Sequence, residues 1–508
     1  MHARIRSVMG QVTRAGTVKT DIPARMDRLP WSRWHWLVVF SLGITWVFNG
    51  LGIAVAAAIN SDLTQSQTLN LSILQAGYAA TIYLFGTLLG ALFLGYMADG
   101  FGRKRLILIG VAVFAGGTLA TAFSWNFWSF ALFRAITGIG VGAQYAAINS
   151  LINELAPTRS RGWANLMVNG SYWAGAIIGV ASTIALMNPS VLPLVLGWRV
   201  SFAVAGVLAF SVILLQRYVP ESPRWLMIRR GPGPAGAAVG RIEQRIRQEE
   251  DLRELPRPAG ALVLRPEGQL DPAMIPAILF RMYPRRTSVA FILMAAQAFL
   301  FNGIFFTYAL VLSSFYGVAF YNVGIYLAGL AVGSLVGPWL LASYFDSAGR
   351  RLMIGITYVA AGILLGITGY LFSIGVLNPV TQTIAWAIIL FFASAGASGA
   401  YLSLSELFPL ELRSTLVGVL YAVGIAAGGL AAPALFAGLI EAGSSSQLFY
   451  GGYLVAAILM VIGGLVELPF GEDAERRPLE SVARPLLAET VREQPAPPRR
   501  KKGRRRAA

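Results

Sequence analysis

The chain of 508 residues contains no cysteine, so disulfides, thiol nucleophiles and thiolate metal sites are all excluded. His2 and His35 are its only histidines, too few for a histidine-rich zinc site. Charge is scarce as well. Asp, Glu, Lys and Arg make up 13% of the residues, whereas soluble domains run near a quarter; 56% are hydrophobic and mean hydropathy is +0.62. Such a chain is a polytopic membrane protein. Its long apolar runs carry no Asp or Glu at mid-span and no nucleophile and base pair, so a membrane enzyme is not indicated and no cofactor is implied. The GxxxxGK[ST] loop of ATP-driven pumps is also missing.

The charge that is present is strongly one-signed, with 41 Lys and Arg against 24 Asp and Glu, a net of +17. Its placement excludes nucleic acid as the partner. All basic residues but Arg134 and Arg199 fall in or beside segments on one side of the membrane, which the positive-inside rule makes the cytoplasm. Both termini are then cytoplasmic, in a cell membrane or, for a bacterium, the inner membrane. Residues 1–32 are polar and Arg-rich without the apolar core of a signal peptide, and are expected to be loosely ordered.

Apolar runs of spanning length lie near 34–59, 71–94, 106–123, 127–155, 162–187 and 198–218, and again near 288–314, 318–342, 352–373, 380–408, 413–440 and 447–468. The fold class is therefore all-α and polytopic, with about twelve transmembrane helices in two six-helix bundles. The divisions are a cytoplasmic N-terminal segment (1–32), a first bundle (33–219), a cytoplasmic central linker (220–286), a second bundle (287–468) and a basic disordered tail (469–508). Within the linker, the mixed-charge stretch RIEQRIRQEEDLREL reads as a short surface helix after the Pro- and Gly-rich GPGPAGAAVG. The tail ends RRKKGRRRAA and is expected to rest on anionic lipid.

Between the second and third spans lies Gly95-Tyr-Met-Ala-Asp99-Gly-Phe-Gly102-Arg103-Lys104-Arg105, a cationic stretch whose glycines predict a tight turn. The second half echoes it. Asp346-Ser-Ala-Gly349-Arg350-Arg351 repeats the turn, and Glu406-Leu-Phe-Pro409 with Arg413 repeats Glu154-Leu-Ala-Pro157 with Arg161. The pattern GxxxDxxGR[KR], with RxxxGxGxG at 134–142, PESPRW at 220–225 and ExFPxxxR at 406–413, resembles the major facilitator superfamily, in its sugar-porter and organic-acid branches.

That resemblance implies two pseudo-symmetric bundles rocking about a midplane site. It also implies a cytoplasmic gate of paired ions bridging the halves: Gly95, Asp99, Gly102, Arg103, Glu154, Arg161, Glu221, Asp346, Arg350, Glu406 and Arg413. Proton-coupled relatives carry an acid on the first helix that pairs with the helix 4 arginine; here that place holds Asn49, leaving Arg134 without its counter-ion. Helix 7 carries Gln297 and Asn302 in place of the fuller sugar-porter amide pattern, and helix 10 lacks the proline.

Candidate substrate-binding residues are the mid-span amides and aromatics Asn49, Gln144, Asn169, Trp173, Gln297, Asn302, Tyr308, Tyr326, Tyr401 and Tyr421, with Arg134 suited to a carboxylate. The expected function is secondary transport of a small polar organic solute, a sugar or an organic or aromatic acid, uniport-like because mid-span carboxylates are missing. A proton-coupled symporter is the alternative, and a non-transporting membrane sensor the alternative of another class. The partners expected are this solute and the lipid bilayer, and the chain is read as a monomer.

Overall fold

The computed structural model describes residues 18–60, 62–258, 261–264 and 272–486. Among the described residues, twelve long helices make up the body of the structure: α1 (Arg33–Ile59), α2 (Ile73–Phe101), α3 (Arg103–Thr121), α4 (Phe127–Leu155), α5 (Arg161–Leu186), α6 (Leu194–Leu215), α7 (Pro284–Tyr316), α8 (Val323–Ser347), α9 (Arg350–Ser373), α10 (Pro379–Glu406), α11 (Leu410–Glu441) and α12 (Ser445–Phe470). All but α5 are long and apolar enough to cross a bilayer by composition alone. α5 has the length, 26 residues, but carries buried Asn165, Asn169 and Ser171. A helix this polar is tolerated within a bilayer only where its amides face other helices or a cavity.

Capping fixes the helix starts. On the face opposite the charge-rich one, Ser72, Asn126 and Asn378 accept the backbone N–H three residues ahead and open α2, α4 and α10. On the charged face the helices meet at sharper corners. α2 runs on through the stretch expected to turn and stops only at Gly102, whose φ is +106°. Gly349, at the matching place before α9, has φ +105°. The two equal, left-handed values are the backbone signature of the internal repeat, and a side chain at either position would be strained.

Helices approach closely where small residues meet. α1 crosses α5 at Gly50 and Gly175, where an added Cβ would collide with the backbone of the partner helix. α2 and α11, which face each other across the halves, each contain a π-helical turn, Gly90–Leu94 and Ile425–Gly429.

Three expectations about the charged face need correction. Residues 18–32 are ordered against the bundle: β1 (Val18–Thr20) pairs antiparallel with β2 (Leu262–Leu264) of the linker, and the helix Ile22–Asp27 buries Ile22 and Met26. The linker helix begins earlier than its charge pattern indicated, at Pro232, and runs to Glu249. Proline is favourable in the first helical turn, and Ala235, Ala238, Val239, Ile242 and Ile246 make one buried stripe that holds the helix to the bundle. Part of the tail is also placed, as the helix Leu479–Val482 with Leu479 and Glu480 buried. The expectation of a disordered basic end falls, from 487 on, outside the described residues.

Candidate functional site

Both bundles contribute to a central cavity of about 120 Å³. From the first half come Trp46, Tyr83, Thr87, Tyr145, Asn169, Tyr172 and Trp173; from the second come Gln297, Phe301, Asn302, Ser394, Ser398, Tyr401 and Tyr421 among others. The wall is aromatic with a few amides and hydroxyls, and no lining residue is charged. Tyr145 stacks on Tyr421 at 4.2 Å between centroids and 17° between planes, and lies 5.0 Å from Tyr401. These rings join α4 to α10 and α11 across the halves. Gln297 donates to the Tyr401 hydroxyl, fixing both groups at the wall. Ser394 also lines the wall, and its Oγ is buried without a hydrogen-bond partner among the described residues.

Six of the eleven candidate binding residues line this space: Asn169, Trp173, Gln297, Asn302, Tyr401 and Tyr421. The other five are elsewhere. Asn49 donates to Gln144 Oε1 at 3.0 Å and Gln144 donates to the Gly140 carbonyl at 3.1 Å, so both amides are engaged inside the first half. Tyr308 is tied to Thr383 at 2.6 Å, and Tyr326 is half-buried away from the cavity. Arg134 sits one layer back, its guanidinium 4.7 Å from the Tyr83 ring and 5.7 Å from Phe202. It is 2% exposed, and Nη1 finds no hydrogen-bond partner among the described residues. Aromatic faces thus stabilise this cation in place of a carboxylate. Tyr83, Tyr145 and Tyr172 were not singled out from sequence, because periodicity does not tell a cavity-facing ring from a packed one.

The two halves also meet on either side of the cavity. On the charged face, the first residues of α3, α5, α9 and the main body of α11 are Arg103, Arg161, Arg350 and Arg413. Four cations on four positive helix ends repel, and four buried carboxylates offset them. Within the halves, Arg103 pairs with Asp99 at 2.9 Å and Glu154 at 3.3 Å, while Arg350 pairs with Asp346 at 3.3 Å and Glu406 at 3.0 Å. Across the halves, Arg413 reaches Glu154 and Arg161 reaches Glu406, each at 3.7 Å.

The two aspartates complete the exchange. Asp99 Oδ2 accepts the Thr415 N–H at 2.8 Å and its hydroxyl at 2.6 Å, and Asp346 accepts the N–H groups of Gly162 and Trp163 at 3.2 and 2.8 Å. Each therefore caps a helix of the other half. Gly95 lies against Gly418 of α11, again across the seam.

Glu221 does not bridge the halves as expected. It accepts from the backbone N–H groups of Arg103 and Lys104 and caps α3 within its own bundle. Burial raises its pKa against the pull of those N–H groups and of Arg103.

A second layer of ions lies outside this network and was missed. Asp27 of the N-terminal segment pairs with Arg161 at 3.0 Å and Arg224 at 2.9 Å, and Arg224 pairs with Glu480 near the end of the chain at 3.0 Å. Burial works to raise the Asp27 pKa, yet the guanidiniums of Arg224 and Arg161 outweigh it and hold the carboxyl below its ordinary value. On the opposite face, Asn60 donates to the Phe306 carbonyl at 2.9 Å and Thr81 to the Leu430 carbonyl at 3.0 Å, again across the halves. Contacts between the halves thus lie on both sides of the cavity.

Comparison with known proteins agrees with this architecture. Residues 38–473 match the family model described as "Sugar (and other) transporter". The niacin transporter NiaP of Acinetobacter baylyi is 26% identical over 471 residues, covering 91% of this chain and 99% of that protein. The cis,cis-muconate transport protein of the same organism is 26% identical over 81% of this chain and 89% of its own. The solved structure of XylE, a proton:xylose symporter, bound to 6-bromo-6-deoxy-D-glucose, superposes with a TM-score of 0.67 at 20% identity, covering 89% of this chain and 98% of that one. With two matching bundles, a shared cavity between them and a family match over most of its length, this chain belongs to the sugar (and other) transporter family of the major facilitator superfamily and is a multi-pass membrane transporter, not an enzyme.

Proposed function

We propose that the protein moves a small single-ring aromatic acid by alternating access, with uniport-like coupling. The carrying observation is the cavity itself: an aromatic box walled by Tyr145, Tyr401 and Tyr421, with amides and an unpartnered Ser394 hydroxyl inside it and Arg134 one ring away behind Tyr83. A flat ring stacks on such walls, and polar substituents find the amides. The Arg134 cation makes the site favour an anion without touching it, since buried charge acts over several ångströms at low dielectric. The transport of niacin by one relative supports this solute class, and that of cis,cis-muconate, an acyclic dicarboxylate, by another supports an organic anion more broadly.

The ion network at the charged face serves as the cytoplasmic gate in this reading, because its cross-half members must part for the solute to leave. Coupling to protons would require a titratable group in the pathway. The Asn49–Gln144 pair occupies the place where such an acid is expected, and the cavity wall is uncharged. Thermal stabilisation of the detergent-solubilised protein by nicotinate, benzoate and D-xylose tests the class, with Arg134→Ala in parallel. The two aromatic acids should stabilise the parent protein and lose that effect in the variant. Stabilisation by D-xylose alone would replace this reading with a sugar porter. Uphill nicotinate uptake driven by a pH gradient alone would replace uniport with symport.

A further inference from the structure

Between the cavity and the charged face, α4 and α5 bury four asparagines together. Asn149 and Asn153 are one turn apart near the end of α4, and Asn165 and Asn169 are one turn apart near the start of α5. The i, i+4 spacing puts each pair on one helix face. Asn165 Nδ2 donates to Asn153 Oδ1 at 3.1 Å and Asn149 Oδ1 at 3.4 Å; Asn169 Nδ2 reaches Asn149 Oδ1 at 2.9 Å and Asn165 Oδ1 at 2.7 Å. The ladder has two ends of different kind. Asn169 lines the central cavity, and Asn153 donates across the seam to Ser405 of α10. It thus connects the solute chamber to the contact that must part when the charged face opens.

Helix packing alone does not call for this arrangement. α1 and α5 achieve a close crossing with glycines, and four amides in a membrane interior are costly unless each finds partners. Here the partners are over-shared: Asn149 Oδ1 serves two amides, and Asn169 Nδ2 reaches three acceptors, including the Asn165 carbonyl at 3.0 Å. An –NH2 group has only two protons. Several bonding patterns of similar geometry are therefore available, and any of them can be exchanged for water or a ligand without leaving an orphan.

We infer that this asparagine ladder is a second solute station, wetted when the charged-face seam opens, where the departing solute trades its hydrogen bonds to the cavity for bonds to the amides. The ligand class is a small molecule bearing a carboxylate or hydroxyl groups. The inference rests on the reading of the charged face as a gate.

The absence of native cysteine makes the test direct, since any introduced thiol is the only one in the chain. Single-thiol proteins carrying Asn165→Cys, Asn149→Cys or, at the mouth of the seam, Ser405→Cys are exposed in membranes to an impermeant methanethiosulfonate from the charged-face side, with and without Asp99→Ala to favour opening. All three thiols should label, and each should label at least about tenfold faster with Asp99→Ala, because reaction follows the open population. Asn149→Cys serves should Asn165→Cys fail to fold. If Ser405→Cys labels while both ladder thiols stay silent, the asparagines are a permanent packing zipper and the inference falls alone. If Ser405→Cys is silent too, the gate does not open and the transport reading falls with it.

Discussion

Removal of the Asp99 carboxylate should open the charged face. Its two hydrogen bonds from Thr415 run between the halves and exist only while the face is closed. The ion pair with Arg103 lies within one half, so parting the halves need not break it and it is left out of the difference. Hydrogen bonds to a charged acceptor contribute about 1.5 to 3 kcal/mol each, so Asp99→Ala costs the closed form about 3 kcal/mol at the low end. Even that low-end cost shifts the open-to-closed ratio by about 150-fold. Arg103 keeps Glu154 as a partner at 3.3 Å, so the variant does not strand a buried cation. The assay is the labelling rate of the Ser405→Cys thiol, fully buried when the face is shut. Growth of that rate by tens-fold is expected, and a change under about threefold in a well-folded variant would refute the claim that these bonds hold the gate.

Further expectations follow from other sites. Asp62, at the opposite face, is 2% exposed with Oδ1 unpartnered, and burial alone pushes its pKa up to about 8. Being raised, it stabilises the fold fully below its ordinary value near 3.8 and loses that contribution as pH climbs through about 8; the thermal midpoint of the parent should fall relative to Asp62→Asn across that window, and parallel pH profiles would contradict the burial. Tyr145→Leu removes the ring stacked on Tyr421 and should weaken aromatic-acid binding by about 1 kcal/mol, or fivefold, in titration calorimetry, with D-xylose unaffected. Asp27→Ala frees Arg161 and Arg224 from the N-terminal segment, so tryptic cleavage at Arg25 and Arg28 should accelerate; unchanged cleavage would show that the buried Ile22 and Met26 and the pairs of Arg25 and Arg28 with Glu243 suffice to hold it.

The spans and the charged-face ions were legible in the sequence because both are written in one dimension. Apolar length marks a crossing helix, and the Asp–Gly–Arg turn is repeated with its spacing intact, which is why Asp99 and Asp346 prove to do the same work. What lies around the cavity was only half legible. Gln144 and Tyr145 are neighbours in sequence but about 100° apart on the helix, so one turns to Asn49 and the other into the solute space. Arg134 is deep and buried as its surroundings demanded, yet Tyr83 stands between it and the cavity. Asp27, Glu480 and Asp62 carried no signal at all, since each sits in a short polar stretch and becomes buried only through the packing of distant segments.

The wide turns in α2 and α11 bear on how such a molecule avoids leaking. A π turn spaces its carbonyls away from the regular ladder and gives a helix an elbow. The α11 elbow borders the solute space through Ile425, and the α2 elbow lies just beyond Thr87 of the cavity wall on the way to the charged face, where Ala91 packs on Gly418. Under the alternating access proposed above, each rod would lean at one end while its other end stays pressed to its neighbour, so that one doorway yields while the bolt on the other remains drawn.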